Sequence, residues 1–304
     1  MNLKQIETFF WAARLGSFKA AASYLNATQS TISTRIQELE EFFGVALFDR
    51  ARRVVRLTEK GRQLLPYAER FVALAEEMQS NVSDMNSISG ALRVGVSEVI
   101  SATWLPKLIR AARQKYPNLT VEYDVTSVID QYDKLKRGDL DVLLLPRRNS
   151  QYGHKMKSLG FVEFRWLGSP DFAFPVPPPL SAADFVDLPV IALGPQSNNW
   201  QTIEAWLNAN GSYCKKRTLC RRMDVVLALT IAGLGIGLFP VCSYREEIET
   251  RLVVVVKTTP EVPPVEFAAV SHNDQPRLAV RLLADLAAEI SEFPESDAET
   301  SFDP

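Results

Sequence analysis

The 304 residues predict an α/β protein in three parts: a small helical head ending in a short hairpin, one long helix, and a larger body of alternating strands and helices. Three observations carry this. Apolar residues recur at helical spacing in three short runs before Gly44, the second and third preceded by a capping residue. From Thr58 to Ser87 the apolar positions follow a seven-residue period. Beyond Gly90, short apolar runs of strand type alternate with helical ones. A hydrophobic content of 46% is enough for more than one core at this length.

The first run, residues 3 to 15, places Leu3, Ile6, Phe10 and Ala13 on one helical face. Ser17 is a good N-cap for a second helix with Phe18, Ala21, Ala22 and Leu25 inward. After a turn at Asn26-Ala27, Thr28 caps a third, whose buried stripe is Ile32, Ile36 and Leu39. Its outward face is short and polar. Thr28, Gln29, Ser30, Thr31, Ser33, Thr34, Arg35 and Gln37 offer the donors and acceptors needed to read base edges in a major groove, where a merely solvated face would carry more Lys and Glu. Gly44 is the expected C-cap, and Leu47 to Thr58 read as two short strands around a basic turn. Arg50, Arg52 and Arg53 in that turn would meet phosphates or the minor groove. Charge agrees: residues 1–62 hold ten basic side chains against six acidic, a segment of +4 on a chain of −2.

Phe9-Phe10, Gly16-Ser17-Phe18, Ala20-Ala21-Ala22, Leu25, Thr28-Gln29-Ser30, Ile32-Ser33, Ile36, Leu39-Glu40, Gly44 to Arg50 and Leu57-Thr58-Glu59-x-Gly61 together resemble the winged helix-turn-helix of LysR-type transcriptional regulators. Many members of that family have Pro at the position of Ser30 and Arg at that of Thr34, whereas here the arginine follows at 35. The resemblance implies a sequence-specific DNA-binding regulator and not an enzyme, with double-stranded DNA as partner and RNA polymerase as a further candidate.

In the long helix, Leu64, Phe71, Met78 and Met85 recur every seven residues, with Ala68, Ala75 and Val82 between them; Pro66 should bend it near its start. Two partners can bury such a seam, the same helix of a second chain or the rear domain of this one. The resemblance implies the first, a homodimer that commonly assembles to a homotetramer, so the DNA target is expected to be an imperfect inverted repeat. This divides the chain into a winged helix-turn-helix at 1–57, a linker helix at 58–88 and an effector-binding domain at 89–294, with Ile88-Ser89-Gly90 as hinge and an acidic tail at 295–304.

In the body, Leu92–Val96, Leu119–Val125, Leu140–Leu145, Phe161–Leu167, Val190–Leu193, Ile236–Phe239, Leu252–Val256 and Val265–Val270 are the predicted strands. Helices are predicted at Trp104–Lys115, Ile129–Arg137, Trp200–Asn208 and Val225–Ala232, an alternation that builds parallel sheets. The resemblance continues in Leu92-Arg93-Val94-Gly95-Val96, Gly138-Asp139-Leu140-Asp141 and Ala232-Gly233-Leu234-Gly235-Ile236. It implies a two-lobed, periplasmic-binding-protein-like (type 2) effector domain, lobe I taking about 91–160 and 266–293 and lobe II 161–265.

Ligand chemistry is best placed where strands end and helices begin: Ser97, Ser101, Thr126, Ser127 and Pro146 in lobe I, and Ser197, Asn198, Asn199 and Trp200 in lobe II. These are mostly neutral donors, so the expected effector is a small organic acid, with Trp200 and Trp104 as possible apolar walls. No cofactor is expected. Gly233-x-Gly235-x-Gly237 lies between a helix and a following strand, the reverse of a phosphate loop. Three cysteines and two histidines far apart give no metal-ligand spacing, and nothing forms a catalytic set. Lys215-Lys216-Arg217 and Arg221-Arg222 read as a solvated strand edge, a subunit contact or an attractor of acidic ligands. The longest apolar run is too short to cross a bilayer and the N-terminus has no secretory pattern, so a cytoplasmic location without membrane contact is expected.

Overall fold

The computed structural model describes residues 1–49, 56–82, 88, 90–147, 154–272 and 277–295. The head is α1 (Leu3–Leu15), α2 (Phe18–Tyr24) and α3 (Gln29–Phe43), followed by β1 (Phe48–Asp49) and β2 (Arg56–Leu57). Local chemistry sets each boundary. Asn2 and Gln5 form a reciprocal capping box, Asn2 Oδ1 accepting from Gln5 N at 2.9 Å and Gln5 Oε1 from Asn2 N at 2.8 Å. Ser17 and Thr28 cap α2 and α3, and Gly44 closes α3. Phe9, Phe10, Ile32, Ile36, Leu39, Leu47 and Phe48 fill one core. Glu40 fastens the hairpin to α3, its Oε1 accepting from the backbone N–H groups of Leu47 and Phe48 at 2.7 and 3.1 Å. β1 and β2 pair antiparallel as the wing requires. The basic turn between them, with Arg50, Arg52 and Arg53, lies outside the described residues, as do the tail beyond 295 and Met85.

α4 (Glu59–Val82) is the long helix, about 36 Å at 1.5 Å per residue, with Pro66 inside it. One row of the predicted seam, Phe71 and Met78, stays open, joined by Tyr67 and Leu74, while Ala68 of the other row turns inward. Ala68 and Val72 are spent on the head's own core, and the face left open carries Tyr67, Phe71, Leu74 and Met78, which are 68%, 42%, 55% and 61% exposed. The rear domain of the same chain therefore does not cover it.

The body runs β3 (Gly90–Val96), α5 (Glu98–Ala102), α6 (Leu105–Lys115), β4 (Leu119–Asp124), α7 (Val128–Arg137), β5 (Val142–Pro146) and β6 (His154–Val162). It continues through β7 (Phe164–Gly168), β8 (Leu180–Ser181), β9 (Pro189–Leu193), α8 (Asn198–Ala209), β10 (Lys216–Cys220), α9 (Met223–Ile231) and β11 (Ile236–Pro240). The last elements are α10 (Arg245–Glu249), β12 (Val254–Val256), β13 (Thr258–Thr259), β14 (Val265–His272) and α11 (Leu278–Ile290). Two five-stranded sheets result, in the orders β4-β3-β5-β14-β6 (lobe I) and β10-β9-β11-β7-β12 (lobe II). Within each, the strands that alternate with helices pair in parallel and the strands entering or leaving the lobe pair antiparallel.

One predicted strand needs correction. Phe161–Leu167 is not one strand but the end of β6 and most of β7, in different sheets, divided at Glu163. Both halves are buried, so the apolar run gives no sign of the change of sheet. The chain crosses between lobes there and again between Thr259 and Val265. Arg165 pairs with Glu163 of the first crossing and, at 2.9 Å, with Glu261 of the second.

Candidate functional site

Two surfaces in this frame can hold a partner. The first is the outer face of α3, where Thr28, Gln29, Ser30, Ser33, Thr34 and Gln37 are all exposed and Thr31 is half-buried at the cap. Its first turn is laced by hydroxyls: Thr28 Oγ1 lies 2.7 Å from Ser30 Oγ and 2.8 Å from Thr31 Oγ1 and accepts from Thr31 N. Ser33 Oγ donates to the Gln29 carbonyl at 3.0 Å, and Gln37 Nε2 to Glu41 Oε1 at 3.0 Å. These hydroxyls keep acceptor capacity beyond the bonds named, which suits hydrogen bonding to base edges. Arg35 is the exception and a correction: half-buried, it turns back onto α1, where Nη1 donates to Thr8 Oγ1 at 3.3 Å and its charge acts on Glu7.

The second is the ends of strands in the two lobes. In lobe I, Ser97 is buried and caps α5, Oγ accepting from Ile100 N at 3.4 Å, while Ser101 Oγ donates to the Glu98 carbonyl. Ser127 caps α7 and donates to Asp130 Oδ2 at 2.6 Å; Thr126 beside it is exposed. Pro146 is buried as the last residue of β5, opposite Phe267. Sequence reasoning missed Gln131. It is fully buried in α7, and its Nε2 donates to the carbonyls of Val96 and Thr126 at 2.9 and 3.0 Å, tying the loop after β3 to the loop after β4. A glutamine on the apolar face of an amphipathic helix was the available signal.

In lobe II, Ser197 caps α8, donating to the Gly194 carbonyl at 2.7 Å and accepting from Trp200 N at 3.1 Å, with Asn198 half-exposed after it. Asn199 is corrected: its Oδ1 accepts from Leu193 N at 3.3 Å and its Nδ2 donates to the Leu238 carbonyl at 2.8 Å, so the amide braces two strands from inside. Trp200 is 5% exposed, with the Arg217 guanidinium 5.4 Å from its ring. Trp104 is no wall either, being wholly buried against Phe293. Burial pushes the Tyr244 phenol well above its ordinary value, and Glu98, Glu247 and Asp224 push it the same way.

Gly233-x-Gly235-x-Gly237 serves packing. A Cβ on Gly235 would stand 2.4 Å from the Pro189 carbonyl oxygen, so the glycine lets the entry to β11 lie against β9. Among the described residues no cluster of His, Cys, Asp or Glu could hold a metal, and no helix is long and apolar enough to cross a membrane.

Residues 3–62 match the family model described as a bacterial regulatory helix-turn-helix protein of the lysR family, and residues 86–291 match the LysR substrate binding domain. Among curated relatives, an uncharacterized HTH-type transcriptional regulator of Bacillus subtilis, YwqM, is 28% identical over 251 residues, covering 82% of this chain and 85% of the relative. A probable RuBisCO transcriptional regulator of Cyanidioschyzon merolae is 29% identical over 259 residues, covering 83% of this chain and 86% of its own length. Among solved structures, full-length OxyR from Pseudomonas aeruginosa has a TM-score of 0.64 at 21% identity over 96% of this chain and 99% of that one. Full-length LysG from Corynebacterium glutamicum, solved with a bound effector, arginine, has a TM-score of 0.60 at 20% identity over 97% of this chain and all of that one.

Proposed function

The chain belongs to the LysR family of bacterial transcriptional regulators, and from that premise we propose that it reads an imperfect inverted repeat in DNA through α3 and responds to a small organic acid held between its two lobes. As a family member it is a DNA-binding regulator with an effector domain and not an enzyme. One observation carries the proposed reading mode: the exposed residues of the first half of α3, Gln29, Ser30, Ser33 and Thr34, are all Gln, Ser or Thr, and the exposed acids Glu38 and Glu41 stand only further along the helix. Arg50, Arg52 and Arg53 of the wing would supply phosphate contacts, which add affinity without sequence preference.

Two copies are needed to meet two half-sites. The open face of α4 with Phe71, Leu74 and Met78 supports a homodimer, and an apolar groove of about 550 Å³ beside it, lined by Ile6, Phe43, Val45, Leu64, Tyr67 and Phe71 among others, widens that face. A tetramer built from such dimers, and contact with RNA polymerase, follow the same reading. For the effector, Ser97, Thr126, Ser127 and Pro146 stand at the lobe I strand ends, with Ser101 in α5 beside them, and Ser197, Asn198 and the α8 N-terminus stand at those of lobe II. Helix N-termini and hydroxyl donors suit a carboxylate, a group that the arginine bound by LysG also carries.

A gel shift on DNA flanking the protein's own coding region tests the reading. Wild type should retard one fragment selectively, and Gln29→Ala or Ser33→Ala should bring specific and unrelated fragments closer together by about 1–3 kcal/mol per lost base contact. Site preference unchanged in both variants would remove α3 as the reading element.

A further inference from the structure

The head and the body meet at a place that neither proposed site uses. Leu15 at the end of α1 and Tyr24 at the end of α2 lie against Gly138, the residue that caps α7 in lobe I. Gly138 has φ of 74°, and a Cβ there would come within 2.9 Å of Leu15 Cδ2 and 3.3 Å of Tyr24 Cδ2. The left-handed backbone favours glycine there, and any larger side chain would push Leu15 and Tyr24 off the surface.

Beside it stands Arg277, at the N-terminal end of α11. Its Nη1 donates to Asp141 Oδ1 at 2.9 Å and its Nη2 to the Ala91 carbonyl, so the edge of the guanidinium satisfies a carboxylate that is 4% exposed. Its carbon lies 5.7 Å from the centre of the Tyr24 ring, so it also makes a cation–π contact with the head. Glu7 of α1 is within electrostatic reach of the same arginine. One planar group thus bonds to the body along its edge and meets an aromatic ring of the head, which an ammonium could not do equally well. Next to this contact a small cavity of about 90 Å³ is lined by Phe10, Trp11, Arg14 and Leu15 of α1 and His272 of β14.

We propose that the lobe I surface formed by Gly138, His272 and Arg277 is a docking surface for the DNA-binding head of the same chain, which holds α3 at a fixed angle to lobe I. The contact joins apolar packing of Leu15 and Tyr24 on Gly138 to the polar Arg277–Asp141 pair, so both dispersion and charge resist its opening. It leaves Gln29, Ser30, Ser33, Thr34 and Gln37 exposed, so docking aims the reading face without covering it. A head joined through α4 alone would be free to pivot; a docked head moves with lobe I. The docking stands independently of which effector the lobes take.

The test is a distance measurement on the full-length chain. Cys214→Ser, Cys220→Ser and Cys242→Ser remove the native thiols, and Lys19→Cys and Lys136→Cys, both at exposed positions in head and lobe I, carry nitroxide labels for pulsed electron spin resonance. One narrow distance distribution is expected, unchanged on mixing with excess unlabelled chain. Leu15→Asp should broaden it, and so should Arg277→Lys, which keeps a cation for Asp141 while losing the planar group over Tyr24. A distribution already broad without these changes, or one that neither variant alters, overturns the proposal. Loss of the narrow component on mixing with unlabelled chain overturns it in favour of docking onto a second copy.

Discussion

Burial pushes the Glu7 carboxyl above the ordinary carboxylate range, even though Arg35, Arg277 and Lys4 pull the other way. A folded-state pKa raised above the unfolded one means that its contribution to stability is full below the unfolded pKa and is lost as pH rises through the folded one. Glu7→Gln is therefore expected to raise the melting temperature at pH 7, with the gain vanishing near pH 4, as calorimetry at the two pH values would record. The cysteines carry the opposite expectation, that nothing happens. Desolvation raises the Cys214 and Cys242 thiols, which keeps them protonated and unreactive. Cys214 and Cys220 are separated by the extended β10, and about 20 Å of extended chain cannot meet a disulfide's roughly 5.5 Å. Replacing both Cys214 and Cys220 by Ser should leave the response of the DNA mobility shift to peroxide as it is in the wild type, and loss of a wild-type response in that variant would make the pair a switch. Residues were legible where their chemistry is local. Ser17, Thr28 and Gly44 act on backbone within a turn of themselves, so the sequence placed them. Arg35 and Asn199 were not legible, because their partners Thr8 and Leu238 come from distant segments brought close only by the fold.

At the scale of elements, α4 has the sharpest consequence. Each apolar side chain on its open face that becomes buried against another chain contributes about 1.5–3 kcal/mol. Phe71→Asp or Met78→Asp should raise the dimer dissociation constant at least tenfold while leaving the head folded, since Ala68 and Val72 and not these residues enter its core. Sedimentation velocity over a concentration series reads this directly, and unchanged association in both variants would put the dimer contact elsewhere. The Phe71–Met78 row of the seam was visible in the sequence, but the row that stands open beside it was not. Ala68 and Ala75 share the period with Tyr67 and Leu74, and only the position of the head decides which pair stays open. The run from Phe161 to Leu167 failed for a related reason: hydrophobic pattern reports burial, and both sheets bury their strands equally.

For the whole molecule, an effector shifts the lobes only if it binds one arrangement better than the other, so it must take contacts from both. Calorimetry with a panel of aromatic and aliphatic acids should find affinity lowered several-fold by Ser127→Ala in lobe I and again by Asn198→Ala in lobe II, about 0.5–1.5 kcal/mol each. Binding indifferent to both would place the effector outside the cleft. How far such a ligand can move the protein is set by the two crossings. At Glu163 and near Glu261 the chain passes between lobes on adjacent paths, and Arg165 bolts one path to the other. A door hung on two pins has a single axis. Two adjacent crossings favour rotation of lobe II about the line through them over sliding, so the signal expected to reach the rest of the molecule, whatever the ligand's shape, is one number: an angle.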